Sequence, residues 1–580
     1  MKRYFFLLAT LLCAVSVQAQ DPATGFPPFG SFENGRFDGI NRQNLNVNFA
    51  IPIMGSPGRG MDLGHLIAYD SLIWVRNSNS WQRVVDENGL PTWGWKLDRV
   101  IGTIKYKVRT SQCYDFGGEP GGILKTYDNY SYTDRAGTRH DFPGVVIYWS
   151  GCDASWSGDF TAYASDNSGY YIDANSATAP FVYSPSGIKI TNTGNIYDTN
   201  GNFISSSTAA NVTTWKDTRG NDALKIDKAT ANFIYYRFLD STGAYQTITL
   251  ALQTFNIKTN FACSGVAEYT GTASLPVSIT LPNSQSYSFT YEDTPGFSGY
   301  KTGRLKRVTL PTGGYYEYQY PTTGNKGINC ADGTGTSLTR LISDGTTTST
   351  WQLVRAQVGQ DWKTTVTDPV LPYDSGVANQ SVFTFTNGRE SSALFYQGNE
   401  FMYQLLRTIN TTWAANNTPA SKTIIEGSNQ VKIETDFDTY GKLIEVREYH
   451  FGGSTPARTT HNTYLTDSTY VSRNILDRLT QVVVRDGGAT GTIKSQTDIA
   501  YDEATYINTL CPAGASQHDD TNYPCTLSPR GLPTTVSTYA NVAAQTGRID
   551  RHISYDWFGN RVKADVNGSQ QKQWSCSAPL

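Results

Sequence analysis

Two stretches, ITLPNSQSYSFTY at residues 279–291 and VTLPTGGYYEYQY at residues 308–320, align without a gap at a spacing of 29 residues. In each, an aliphatic-Thr-Leu-Pro entry leads through a polar pair to three aromatics in alternation: Tyr287, Phe289 and Tyr291, then Tyr316, Tyr318 and Tyr320. Alternation with period two is the mark of a strand with one face buried, and Pro282 and Pro311 suit the second position of a tight turn because their ring fixes φ. Each stretch therefore predicts one β-hairpin with its aromatics on a single face. A lone hairpin cannot bury such a stripe, so the hairpins must pair edge to edge into a continuous sheet.

The rest of the chain reads the same way. Val431, Ile433, Thr435 and Phe437 alternate, as do Ile549, Arg551, Ile553 and Tyr555, and turn clusters such as Ser184-Pro185-Ser186-Gly187 separate the runs. A second signature, aromatic-Asp-x-x-Gly-(Asn/Lys)-x-aliphatic, occurs at Tyr197–Ile204, Phe437–Ile444 and Tyr555–Val562. Weaker forms stand at Asp134, Asp217 and Tyr501-Asp502, the last without the Gly. Asp at the start of such a turn accepts from backbone N–H groups ahead of it, and Gly supplies the left-handed position. The composition agrees: of 580 residues 13% are aromatic, only 17% are charged, and Gly and Pro number 53 and 24. This is a turn-rich all-β protein.

These units resemble the Rhs or YD-repeat family of secreted bacterial proteins. Gly303-Arg304-Leu305, Gly441-Lys442-Leu443, Tyr501-Asp502 and Tyr555-Asp556-x-x-Gly559-Asn560 match its repeat elements. The entry region Asn44–Ile53, followed by Gly58-x-Gly60-Met61 and Tyr69-Asp70-Ser71, is similar to the start of many members. The resemblance implies consecutive β-hairpins in a spiralling sheet that wraps a hollow shell, with a C-terminal toxin held inside in larger members. The units here are few and irregular, and Asp368-Pro369 leads into Val370-Leu371 rather than an Asp-Pro-x-Gly motif, so the expectation is a partial shell. The expected divisions are a signal peptide at 1–19, an N-terminal β-rich region at 20–274 and a hairpin array at 275–580.

Lys2 and Arg3, the apolar run Tyr4–Val17 and the small-residue site ending at Ala19 read as a signal for export, giving a secreted or cell-surface protein. The apolar run is too short to span a bilayer and no second run follows, so no transmembrane segment is expected after cleavage. Seven cysteines remain after Cys13 is removed. Neighbour pairing gives Cys113 with Cys152, Cys263 with Cys330 and Cys511 with Cys525, leaving Cys576 without a partner, although sequence alone leaves the connectivity open. A net charge of −3 and a pI near 6.1 argue against nucleic acid as a partner.

The six histidines form no zinc-protease motif, and neither a nucleophile elbow nor a phosphate-binding loop occurs. His518-Asp519-Asp520 reads as a solvated polar loop stapled by a disulfide, and the Asp-x-x-Gly acids as turn formers rather than calcium ligands. No catalytic residue, metal or cofactor is expected. Alternating aromatics more often pack across strands, but flat rings can also stack on sugars, and Trp93, Trp95 and Tyr315 are the residues nominated for a ligand surface. The expected function is a non-enzymatic exported module with a structural, surface-interaction or encapsulating role, in contact with envelope or extracellular glycans or with a downstream toxin chain. The alternatives are a secreted carbohydrate-active enzyme with paired carboxylates and the front part of a toxin-delivery shell.

Overall fold

The computed structural model describes residues 24–85, 91–114, 120–150, 160–175, 179–370, 376–398, 404–508 and 514–573. The signal segment and Cys576 lie outside them. The fold is nearly all β, and no helix among the described residues is long and apolar enough to cross a membrane. From strand Thr161–Tyr163 to strand Ser569–Gln573 the chain forms one 30-stranded sheet in which each strand pairs antiparallel with the next in sequence. The two repeated stretches are successive hairpins of it. Ile279 lies opposite Tyr287 and Val308 opposite Tyr316, and Phe289 opposite Val308 joins the two hairpins.

Both turns are built alike. Leu281 C=O accepts from Ser284 N–H at 2.9 Å and Leu310 C=O from Gly313 N–H at 2.9 Å, with Pro282 and Pro311 in the second position. The left-handed residue that follows is Ser284 in one copy and Gly313 in the other, at φ +66° and +89°. The boundary expected between 274 and 275 falls inside strand Thr270–Thr280, and hairpins continue on both sides of it, so the sheet has no division there.

Ahead of the large sheet come three smaller pieces. A five-stranded sheet is made by Phe32–Asn34, Asp38–Asn41, Val47–Ser56, Leu63–Asp70 and Trp95–Lys96, a hairpin by Trp74–Asn77 with Ser80–Arg83, and a four-stranded sheet by Thr103–Tyr114, Pro120–Thr133, Arg139–Asp141 and Val145–Ser150. The five-stranded sheet and the hairpin pack onto the middle of the large sheet. Trp74 Nε1 donates to Thr302 C=O at 3.0 Å, Leu305 N–H to Tyr69 Oη at 3.2 Å, Tyr318 Oη to Asp38 at 2.9 Å and Thr364 Oγ1 to Arg42 C=O at 2.6 Å. Phe49, Tyr69, Trp95 and Phe289 meet at its centre. This continuous core reaches Ala393 and Ile409 and goes no further along the chain.

Candidate functional site

The Asp-x-x-Gly strings form one turn used repeatedly. At Asp198, Asp217, Asp438 and Asp556 the carboxylate accepts the N–H of the residue four positions on, at 2.8–3.0 Å, while the Gly N–H three positions on donates to the Asp C=O. Asp198, Asp217 and Asp438 also accept the N–H two positions on. Asp134 and Asp240 repeat the pattern, and the Asp240-Ser-Thr-Gly243 copy carries no flanking aromatic-Asp signal by which the sequence would mark it. With those oxygens engaged, the acids are turn formers. Among the described residues no group of three His, Cys, Asp or Glu side chains is placed to hold a metal. Asp502 differs, as its missing Gly implies: its carboxylate accepts the N–H groups of Arg530, Gly531 and Leu532.

The aromatic that ends such a strand, directly before the Asp at Phe437, Tyr501 and Tyr555 and before Leu465 at Tyr464, has its own task. At Phe437, Tyr464, Tyr501 and Tyr555 the strand register shifts just before the ring, a bulge that re-aims it. Tyr464, Tyr501 and Tyr555 then donate from Oη to the C=O of Leu443, Leu479 and Pro533, each the first residue of an earlier strand. In the 29-residue repeat the equivalent donors are Tyr291 to Pro276 and Tyr320 to Leu305.

These turns also bring the two ends of the large sheet together. Ser186 bridges to Ile475 and Asn202 to His518. Asn474 Nδ2 donates to the carbonyls of Gly169 at 3.1 Å and Ser184 at 2.8 Å, and Asn202 Nδ2 to Phe558 C=O at 2.8 Å. Arg59 reaches from the N-terminal sheet to Thr218 and Ser516 and lies 4.2 Å over the Phe558 ring. His518 is therefore a buried member of this seam. It hydrogen-bonds Asp520 and Asn200 C=O and lies against Trp557 with centroids 4.3 Å apart, which corrects the expected solvated loop. Burial within the seam pushes the Asp198 carboxyl up to about 6.

Beyond the core, strands from Leu405 to Gln573 form a single layer whose residues are mostly half-buried on both faces. Cross-strand register traces each face. Phe383, a core residue, lies opposite Ala393, which lies opposite Ile409, then Ile424, then Val431. On that same face follow Val446, Val484, Ile499, Val536, Ile549 and Ile553, interleaved with Lys422, Glu448, Arg458, Thr460 and Arg551. The other face is charged and tied across strands: Arg447 pairs with Glu434, Asp436 and Glu445, and Asp498 accepts from Gln481 and Tyr539. Hydrogen bonds from Lys432 and then Tyr449 pull the Glu434 carboxyl down to about 2.

The residues nominated from sequence for a sugar surface do not form one. Trp93 is 5% exposed between Trp74 and Tyr269, and Trp95 is 4% exposed among Phe49, Tyr69 and Phe289 with its Nε1 donating to Tyr291 Oη. Each tryptophan carries a large apolar area, and each packs into its own set of core rings. Tyr315 does point away from Tyr316, but the Arg307 guanidinium lies 4.0 Å over its ring. The three are far apart in role, and nothing brings them together. Cys263 and Cys330 form a disulfide with Cα atoms 5.6 Å apart. Cys113 and Cys525 are also disulfide-bonded. Cys152 and Cys511 lie outside the described residues, so the expected pairs Cys113–Cys152 and Cys511–Cys525 fall there.

The fold and its seam define an all-β protein of consecutive hairpins, fastened by tyrosine hydroxyls and closed end against end. No family model and no curated protein matches the chain. Similar solved structures include a crystal structure of TcdB2-TccC3, with a TM-score of 0.27 and 9% identity over 92% of this chain and 31% of that one. The TcdB2-TccC3-Cdc42 crystal structure gives 0.24 and 10%, over 93% and 27%. The Photorhabdus luminescens Tc holotoxin pore gives 0.24 and 11%, over 90% and 26%. The chain thus spans less than a third of the length of each of these.

Proposed function

We propose that this chain is a non-enzymatic, exported β-shell module of the Rhs/YD-repeat kind, whose uncovered sheet face receives a polypeptide. One observation carries the reading. The face that packs on the N-terminal sheet in the first half of the large sheet continues, by register, into a row of half-exposed aliphatics at Val446, Val484, Ile499, Val536, Ile549 and Ile553 that no described element covers. The row is broken by Thr460 between Val446 and Val484 and by Arg551 opposite Val536, and aliphatic side chains left open among such polar neighbours are a feature of interaction sites. A sugar site would instead present ring faces beside polar groups, and the rings proposed for that purpose are buried or covered.

The test places an environment-sensitive fluorophore at S495C, exposed and opposite Val484, and separately at T463C, exposed on the charged face opposite Gln481. Addition of a permanently unfolded polypeptide, reduced and carboxymethylated α-lactalbumin, is expected to shift the emission of the first probe saturably and leave the second unmoved. Equal responses at both positions, or none, would overturn the reading. Release of reducing ends from bacterial polysaccharides by the purified chain would overturn its non-enzymatic part.

A further inference from the structure

The hairpin Trp74–Arg83, the strand Trp95–Lys96 and the start of strand Thr103–Tyr114 line a half-open cavity of about 580 Å³, of the size small molecules occupy. It lies apart from the uncovered face described above. Its lining holds six cationic side chains, Arg83, Lys96, Arg99, Lys105, Lys107 and Arg139, and one carboxylate, Asp70, among the described residues; Arg139 is paired with Asp141 at 2.7 Å, and Asp134 also acts on Lys96.

Asp70 is already engaged. Its Oδ2 accepts from Gly25 N–H at 3.1 Å and Asn46 Nδ2 at 2.9 Å, and its Oδ1 from Leu72 N–H at 3.0 Å. Some of the cations are held in place by neutral groups: Arg83 Nη1 donates to Tyr269 Oη at 2.7 Å and Arg99 Nη1 to Thr103 Oγ1 at 2.7 Å. Arg83 Nε is buried with no hydrogen-bond partner. The Lys96 ammonium has room only because Gly137, at φ +97°, lacks a side chain. A Cβ at that position would stand 2.3 Å from Nζ. Burial lowers the pKa of this lysine, partly offset by the charge of Asp70.

Like charges gathered around a half-open cavity repel one another, and an unsatisfied buried donor adds its own cost. A bound anion removes both penalties together. Guanidinium forks suit tetrahedral oxyanions, and a lysine contributes a point charge at the centre. We propose that this cavity binds a small oxyanion ester, phosphate- or sulfate-bearing, with two or more negative charges.

The test titrates the full chain by calorimetry with inorganic pyrophosphate and, separately, with a disulfated heparin disaccharide, so that the two sources of the chemistry are told apart. One of them is expected to bind at a single site, with affinity at least tenfold weaker in K96M and in K105M. K422M, which removes an exposed lysine on strand Pro419–Glu426, is expected to bind as wild type does. Without ligand, the melting curve of K96M is the check that this variant folds. The half-buried K105M position gives the reading independently if K96M misfolds. Failure of both probes to bind, or binding that K96M and K105M leave unchanged, overturns the proposal.

Discussion

Tyr501 donates from Oη to Leu479 C=O at 2.8 Å, and Tyr464 and Tyr555 do the same one unit before and one unit after it. A neutral hydrogen bond of this kind contributes about 0.5–1.5 kcal/mol net, so Y501F should lower unfolding stability by about 1 kcal/mol while leaving the ring in place. Urea denaturation of the two proteins measures it, and equal midpoints would show the hydroxyl to be idle. Asp198 offers a test with a sign. Its carboxyl is raised from an ordinary value of 3.8 to about 6 by burial, with Asn202, Asn200 and Gly201 hydrogen bonds opposing. A raised acid favours the folded state when protonated, so its contribution is full below pH 4 and is lost as pH rises through 6. The loss is at most about 3 kcal/mol. D198N should therefore flatten the fall in stability between pH 4 and pH 7. Parallel wild-type and D198N curves across that window would refute the assignment.

Elements were legible where a turn residue and an alternating run coincide. The hairpins at 279–291 and 308–320 stand where Pro282, Pro311 and the aromatics put them, because both signals are local. Trp93 and Trp95 could be read two ways for the opposite reason: their i, i+2 spacing is local, but their burial comes from Phe289, Tyr291 and Tyr269, nearly two hundred residues away. The same distinction divides the glycines. Gly313 ends its hairpin turn at φ +89° with open space where a Cβ would be, so G313A should cost only the strain of the left-handed backbone, about 1 kcal/mol. Gly441, at φ +77°, would bring a Cβ to 2.0 Å from Asn167 C=O. Backbone cannot yield as a flexible side chain does, so G441A should cost at least 2 kcal/mol more than G313A. Thermal melts of the pair decide it: equal losses would mean the turn at Gly441 bears on no neighbour.

At the scale of the whole molecule the sheet has two regimes, a first part filled by the N-terminal strands and a single layer from Leu405 onward, and the seam is what holds the second against the first. Nothing in the spacing of Asn474 or His518 announces this, since their partners at Gly169, Ser184 and Asn200 lie some three hundred residues back. Asn474 is the clearest place to open it. The residue is 2% exposed at φ +54°, a conformation asparagine tolerates better than most, and its amide serves two carbonyls of the early turns. Alanine there removes both donors, leaves those acceptors buried, and adds strain at the left-handed position. The combined cost is about 2–4 kcal/mol, spent on contacts that join the two regimes and not on either regime's own strand pairing. The expected result of N474A is thus local. Amide hydrogen exchange should quicken across 168–205 and 470–523 and stay as in wild type in strands Thr270–Thr280 through Asp361–Thr367, whose packing on the N-terminal sheet is untouched. Uniform acceleration everywhere would instead mean that the wall and the core open as one unit, and that the seam is not a separable closure.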